Sequence, residues 1–160
     1  MKNMWAPWRM TYIETDVDSG NRCFLCAALE EADEEKALVL WKSDHTFCIM
    51  NRFPYNNGHL MIAPNRHIGD AEELTAEEMT AIMSDTIRAQ KALSKVVYPH
   101  GFNWGLNIGR EAGAGLVDHL HMHIVPRWSG DTNFMPIFAD VKIIPQALED
   151  LYAKLRDAIS

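Results

Sequence analysis

The chain predicts an α+β fold: an antiparallel β-sheet of about five strands with one long helix and a C-terminal helix, in a single domain over residues 1–160. Three observations carry that expectation. Short apolar or alternating runs are separated by turn residues between Ala37 and Ala63. One long amphipathic stripe follows Thr75. A second pair of β runs ends in a segment where histidine alternates with apolar residues, His119-Leu120-His121-Met122-His123-Ile124-Val125-Pro126-Arg127. Runs of strands interrupted by one main helix favour antiparallel pairing over a parallel, helix-crossed sheet.

Residues 1–22 read as irregular, with aromatic anchors at Trp5, Trp8 and Tyr12. Glu30 to Lys36 is charge-rich and reads as a helix end and turn. Three strands follow, at Ala37 to Lys42, Thr46 to Asn51 and His59 to Ala63, divided by Ser43-Asp44 and by Pro54-Tyr55-Asn56-Asn57-Gly58. Thr75 and Glu78 have capping-box spacing, and Met79, Ile82, Met83, Thr86, Leu93, Val96 and Val97 recur at helical period. Pro99 and Gly101 end that helix. A strand at Phe102 to Ile108, a loop holding Gly109, Gly113 and Gly115, and the histidine strand come next. The last helix starts near Pro145 and carries Leu148, Leu151, Tyr152, Leu155 and Ile159 on one face.

Composition narrows the function classes. With 160 residues, 48% of them apolar, the chain can bury roughly two-thirds of its unfolded surface. Fifteen basic and 22 acidic residues give a net charge of −7, and no Lys/Arg run interrupts it. Such a surface repels nucleic-acid backbones. A small anionic ligand would have to be met by a few aimed donors. No stretch is apolar enough to span a bilayer, and the start lacks the apolar core of a secretory leader, so the expectation is a cytoplasmic protein without a membrane partner.

The histidine segment points to chemistry. In an extended strand, His119, His121 and His123 share one face while Leu120, Met122 and Ile124 point to an apolar layer. A merely solvated face is more simply built from Lys, Glu or Thr. Three readings stay open at this point: nucleophilic catalysis, a hydrolase whose three imidazoles share a catalytic metal, and a non-catalytic module that binds a small anionic ligand or a partner. Imidazoles on one flat strand converge poorly on one ion, the outer pair standing roughly 13 Å apart at the backbone.

Three cysteines make no disulfide framework in a reducing compartment. Cys48, inside Phe47-Cys48-Ile49-Met50, reads as a small buried hydrophobe. Cys23 and Cys26 have the spacing at which two thiolates grip a tetrahedral metal; a redox pair or two packed thiols are the alternatives. His45 and His100 read as turn or surface residues. Trp128 either borders the functional site or packs the C-terminal segment, and Trp5 and Trp8 are candidates for a subunit interface.

The segment His119 to Arg127 resembles the signature of the histidine triad superfamily. Asn51-Arg52-Phe53-Pro54, Gly58-His59-Leu60, Ile62-Ala63-Pro64 and His67 are similar to its upstream strands, in order. The opening Trp5-Ala6-Pro7-Trp8-Arg9-Met10 and the tail Pro126 to Phe134 resemble its bacterial diadenosine polyphosphate phosphorylase branch. The resemblance implies a nucleotidyl hydrolase or transferase, commonly homodimeric, acting on the α-phosphate of dinucleoside polyphosphates or nucleotide conjugates. It implies His121 as the nucleophile forming a nucleotidyl-histidine, with His123 donating to phosphoryl oxygens or the leaving group and His119 completing the trio. Asn51 falls at the ribose position, and His59 and Asn107 at phosphate-side or leaving-group positions. Gly113 and Gly115 fit a backbone cradle for an anion. It also implies that His67 and His119 join Cys23 and Cys26 around a structural zinc, fastening an N-terminal segment within residues 1–36 to the sheet. Many relatives carry Gly-Gln-Ser or Gly-Gln-Thr before the triad; this chain has Ala114-Gly115-Leu116, with Asp118 directly before His119. That departure bears on whether water or inorganic phosphate is the second acceptor.

Overall fold

The structure is a computed structural model that describes residues 22–131, 144 and 146–159. The expected anchors Trp5, Trp8 and Tyr12, the tail at Thr132, Asn133 and Phe134, and the expected helix start at Pro145 lie outside the described residues. Helices α1 (Phe24–Glu30) and α2 (Glu34–Ala37) lead into strands β1 (Val39–Lys42), β2 (Thr46–Met50) and β3 (Leu60–Pro64). Helix α3 (Ala76–Val97) follows, then β4 (Gly101–Leu106), β5 (Met122–Arg127) and α4 (Leu148–Ile159). Short 3₁₀ turns occupy Ala71–Glu73 and Arg110–Ala112.

The five strands form one antiparallel sheet, as the sequence predicts, and the structure sets their order as β1-β2-β3-β5-β4. Helix α3 packs across β2, β3 and β5, and α4 packs against α3 and β1. Leu40, Phe47, Leu60, Ile62, Leu93, Ile124, Leu151 and Leu155 are fully buried between these layers. Each stabilises the fold by roughly 1.5–3 kcal/mol relative to an exposed side chain. Cys48 is buried among them. Along β5, Ile124 belongs to this core, so His123, one residue away, faces the other side of the sheet.

Helix α3 departs from the expected stripe. Its capping box is present: Thr75 Oγ1 accepts from the Glu78 N–H and the Glu78 carboxylate from the Thr75 N–H. The buried face, however, runs through Glu78, Ile82, Asp85, Thr86, Ala89 and Leu93. Met79 and Met83, expected on that face, are 52% and 46% exposed. Two acidic residues take the inward positions because partners wait there. Arg66 forks onto Glu78 with two 2.7 Å bonds. Ser43 and Thr46 hydroxyls donate to Asp85 at 2.9 and 2.6 Å.

The C-terminus of α3 explains Trp128. Tyr98 takes the left-handed conformation, and the Trp128 indole N–H donates to the Val97 and Tyr98 carbonyls, both at 3.2 Å. Trp128 therefore caps a helix. His100 has a partner that its sequence context did not announce: its Nδ1 accepts from the Ser129 N–H at 3.0 Å.

The histidine strand is also shorter than expected. Its ladder begins at Met122, where β3 pairs only through Leu60, Met61 and Ile62. His119 and His121 precede it. Leu120 N–H donates instead to the Ile68 carbonyl at 2.7 Å, drawing this stretch toward the turn after β3. Gly69 permits the approach, since a Cβ there would lie 2.7 Å from the Val117 carbonyl oxygen.

Candidate functional site

Cys23 is the N-cap residue of α1, and Cys26 lies one turn further on the same side. Cys23 Sγ stands 3.3 Å from His119 Nδ1. Cys26 Sγ stands 3.3 Å from His67 Nδ1 and 3.5 Å from His119 Nδ1. The four ligand atoms all lie within 4.8 Å of one another, and the His67 and His119 rings meet edge to face. Across the ring, His119 Nε2–H donates to the Pro64 carbonyl at 2.8 Å, leaving Nδ1 with a bare lone pair toward the sulfurs. Burial pushes the His119 imidazole below its ordinary pKa, against the Pro64 bond. It also pushes the Cys23 thiol up to about 11, so a cation would itself have to stabilise the thiolates. Two sulfurs, two imidazole nitrogens and a carbonyl holding one ring's tautomer are a donor set that fits a closed tetrahedral zinc.

His121 begins where His119 ends. Its Nδ1–H donates to the His119 backbone carbonyl at 2.9 Å, so Nε2 carries the free lone pair. Burial holds this imidazole below its ordinary pKa, opposed by the same hydrogen bond. The His123 ring meets it edge to face with centroids 4.8 Å apart.

A chain of hydrogen bonds sets the proton position on His123. The Tyr55 backbone N–H donates to His59 Nδ1 at 3.1 Å. Neutral His59 must then carry its proton on Nε2, 2.9 Å from His123 Nδ1. Accepting there, neutral His123 carries its own proton on Nε2, 3.5 Å from Asn107 Nδ2; both are donors, so Asn107 accepts this proton only when its amide turns Oδ1 inward. The Tyr55 ring stacks on His59 at 4.6 Å. His59, His121 and His123 are all buried. The arrangement thus sets a bare imidazole nitrogen on His121 beside an imidazole N–H on His123, the two kinds of group that nucleophilic attack with proton donation requires.

The other sequence-assigned residues fall as follows. Asn51 N–H donates to the His59 carbonyl at 3.0 Å and Asn51 Oδ1 accepts from Phe53 N–H at 2.8 Å, so this side chain is engaged next to His59 but not with an imidazole. Gly113 has φ 91°, yet its N–H donates to the Arg110 carbonyl and the next one, Ala114, to Gly109. Those two amides close the loop on itself and do not converge outward as a cradle requires; Gly115 is exposed. A catalytic metal shared by all three triad histidines is contradicted, because His119 Nδ1 faces the cysteines and His121 Nδ1 a carbonyl. Sequence reasoning missed Tyr55 and Pro64. Tyr55 stood in the turn before His59 as an aromatic signal, whereas the Pro64 carbonyl carries no residue-type signal.

The family pattern described as the HIT domain matches residues 32–130. A Mycobacterium tuberculosis protein named AP-4-A phosphorylase is 38% identical over 156 residues, 94% of this chain and 80% of that one. A zinc-bound histidine triad family protein from Mycobacterium smegmatis superposes with TM-score 0.66 at 21% identity, over 86% of this chain and 92% of that one. A histidine triad nucleotide-binding protein from Sulfolobus tokodaii gives TM-score 0.68 at 22% identity, over 86% and 91%. At those identities the two solved structures bear on the fold. Sequence match, sheet order and the clustered imidazoles agree, and the chain belongs to the HIT domain family.

Proposed function

We propose that this protein is a nucleotidyl transferase acting on dinucleoside polyphosphates by phosphorolysis, with diadenosine tetraphosphate as the leading substrate. The observation that carries the reading is the bare Nε2 of His121 beside the N–H of His123. In the first step the His121 Nε2 lone pair bonds to the α-phosphorus. The P–O bond to the departing nucleoside polyphosphate breaks, and His123 Nε2–H protonates that oxygen where protonation is needed. In the second step an acceptor oxygen displaces His121 from phosphorus. Inorganic phosphate as acceptor yields a nucleoside diphosphate; water would yield a monophosphate. The name of the 38% identical relative and the Ala114-Gly115-Leu116 loop, which lacks the glutamine of many histidine triad proteins, support phosphate. Asn51 is assigned to the ribose, Asn107 and His59 to the phosphate side, and Gly115, rather than Gly113, to the loop's contact with the anion.

Cys23, Cys26, His67 and His119 would hold a zinc ion. It would be structural, clamping the N-terminal segment within residues 1–36 to the histidine segment. The chain acts as one unit over 1–160 and pairs with a second copy. Supporting the homodimer, β4 is an edge strand with Asn103, Trp104 and Gly105 exposed, and Met79 and Met83 lie uncovered on α3. No described helix is long and apolar enough to cross a membrane, and the charge of −7 disfavours nucleic acid; the proposed location is the cytoplasm.

The deciding assay incubates the protein with diadenosine tetraphosphate, with and without inorganic phosphate. ADP and ATP appearing only with phosphate is the expected result. AMP and ATP formed without it would mean hydrolysis, and no turnover under either condition would remove the enzymatic reading.

A further inference from the structure

Seven arginines lie among the described residues, and six of them are engaged. Arg22 pairs with Glu30, Arg66 with Glu78, and Arg127 with Asp131. Arg52 donates to the Lys36 carbonyl, Arg156 pairs with Glu34, and Arg88 lies over the Trp41 ring. The guanidinium of Arg110 has no hydrogen-bond, ion-pair or ring partner among the described residues. Its neighbour Glu111 does not neutralise it; that carboxylate lies over Gly109, with Oε2 3.8 Å from where a Cβ would stand.

Position gives this unpaired cation its meaning. Arg110 is three residues beyond Asn107, whose amide is 3.5 Å from His123 Nε2, so the two Cα atoms are within about 11 Å along the chain. The loop is closed by the Gly113-to-Arg110 and Ala114-to-Gly109 bonds, which hold Arg110 at its outer turn. His59 Nε2 and the Asn107 amide lie beside His123, and neither of these two groups brings a fixed positive charge. A dinucleoside polyphosphate brings several negative charges to a protein whose own net charge is −7. Lys91 and Lys95 line a groove between α3 and α4, in the helical layer that packs on the Ile124 side of the sheet, away from His123.

Resting on the proposed function above, we infer that Arg110 binds the phosphoryl group across the scissile bond from His121. In two successive in-line displacements at one phosphorus, the departing and the entering group occupy the same side, opposite the histidine. A single guanidinium there serves both: first the terminal phosphates of the leaving nucleotide, then the incoming inorganic phosphate. The planar fork of arginine matches phosphate oxygens in paired hydrogen bonds, and no carboxylate has to be displaced first. Arg110 is thereby a specificity-determining residue, favouring substrates and acceptors that bear phosphate.

The test compares Arg110→Gln and Arg110→Lys with the unaltered chain on two nucleotide donors. Diadenosine tetraphosphate has a polyphosphate leaving group; the p-nitrophenyl ester of AMP has one without phosphate. For Arg110→Gln, kcat/KM on the tetraphosphate should fall about 10- to 100-fold. That loss should exceed the loss on the ester at least about 10-fold, and the KM for inorganic phosphate should rise by a similar factor. Arg110→Lys should lie between, keeping charge but losing the fork. The melting temperature should stay within about 1 °C, since no described contact is removed. Equal losses on both donors, or an unchanged tetraphosphate rate together with an unchanged phosphate KM, would overturn the assignment. A tetraphosphate effect without a phosphate effect would confine Arg110 to the leaving group and overturn its second role. If the unaltered chain turns over neither donor, the functional reading fails first and this one with it.

Discussion

The carbonyl oxygen of His119 accepts the Nδ1–H of His121 at 2.9 Å, while the His119 ring turns its own Nδ1 to Cys23 at 3.3 Å. One residue therefore joins the Cys/His cluster to the imidazole assigned as nucleophile. Its side chain faces the sulfurs and its backbone selects the tautomer next door.

His121→Asn keeps the size of the side chain near that of the imidazole but removes the attacking nitrogen. Turnover of diadenosine tetraphosphate should drop by at least about 10³-fold. Circular dichroism and nucleotide affinity should stay close to those of the unaltered protein. Retained turnover in that variant ends the covalent mechanism.

Cys26→Ser removes the sulfur that faces both His67 and His119. Metal analysis of purified protein should find about one zinc per chain before the change and little after it. The melting temperature should drop by about 5 °C or more, because ligand binding and folding are linked. Equal zinc content in both proteins would exclude the cluster as the metal site.

His59→Ala takes away the Nε2–H that sets the tautomer of His123. The defect should depend on the leaving group. A substrate needing a proton on departure should slow about 10²-fold or more, and the p-nitrophenyl ester much less. A uniform loss on both would point to damaged packing.

Glu78 links acid stability to the helix cap. The Arg66 guanidinium, together with the Thr75 N–H, holds its carboxyl down at about 2, against an ordinary 4.5. A depressed carboxylate stabilises the fold above the unfolded pKa, and that contribution fades as pH falls from about 4.5 toward 2. Glu78→Gln should therefore cost about 1 kcal/mol at pH 7 and close to nothing near pH 2. Urea melts at both values would show it; an equal cost at both would mean that packing, not charge, is lost.

Much of the architecture could be read before any coordinates. The strand runs, the Thr75–Glu78 box and the buried Cys48 are local patterns, and each reports a local preference that the fold keeps, whereas the histidine alternation enters the ladder only from Met122 on. The stripe on α3 was misread at Met79 and Met83, because the inward positions are occupied by Glu78 and Asp85 whose partners Arg66, Ser43 and Thr46 come from other segments. Periodicity alone cannot weigh a buried carboxylate that will be fully hydrogen-bonded.

Residue identity and spacing thus determined which chemical groups this protein owns and the sheet that carries them. Tertiary packing alone decided their states: the bare nitrogen on His121, the proton on His123, the turn of His119 away from the ladder and the closed amides of Gly113 and Ala114. The reason is that those states depend on backbone N–H and carbonyl groups, present at nearly every residue. Which of them meets a given imidazole is settled only when segments distant in the chain, such as Pro64 and His119, pack together.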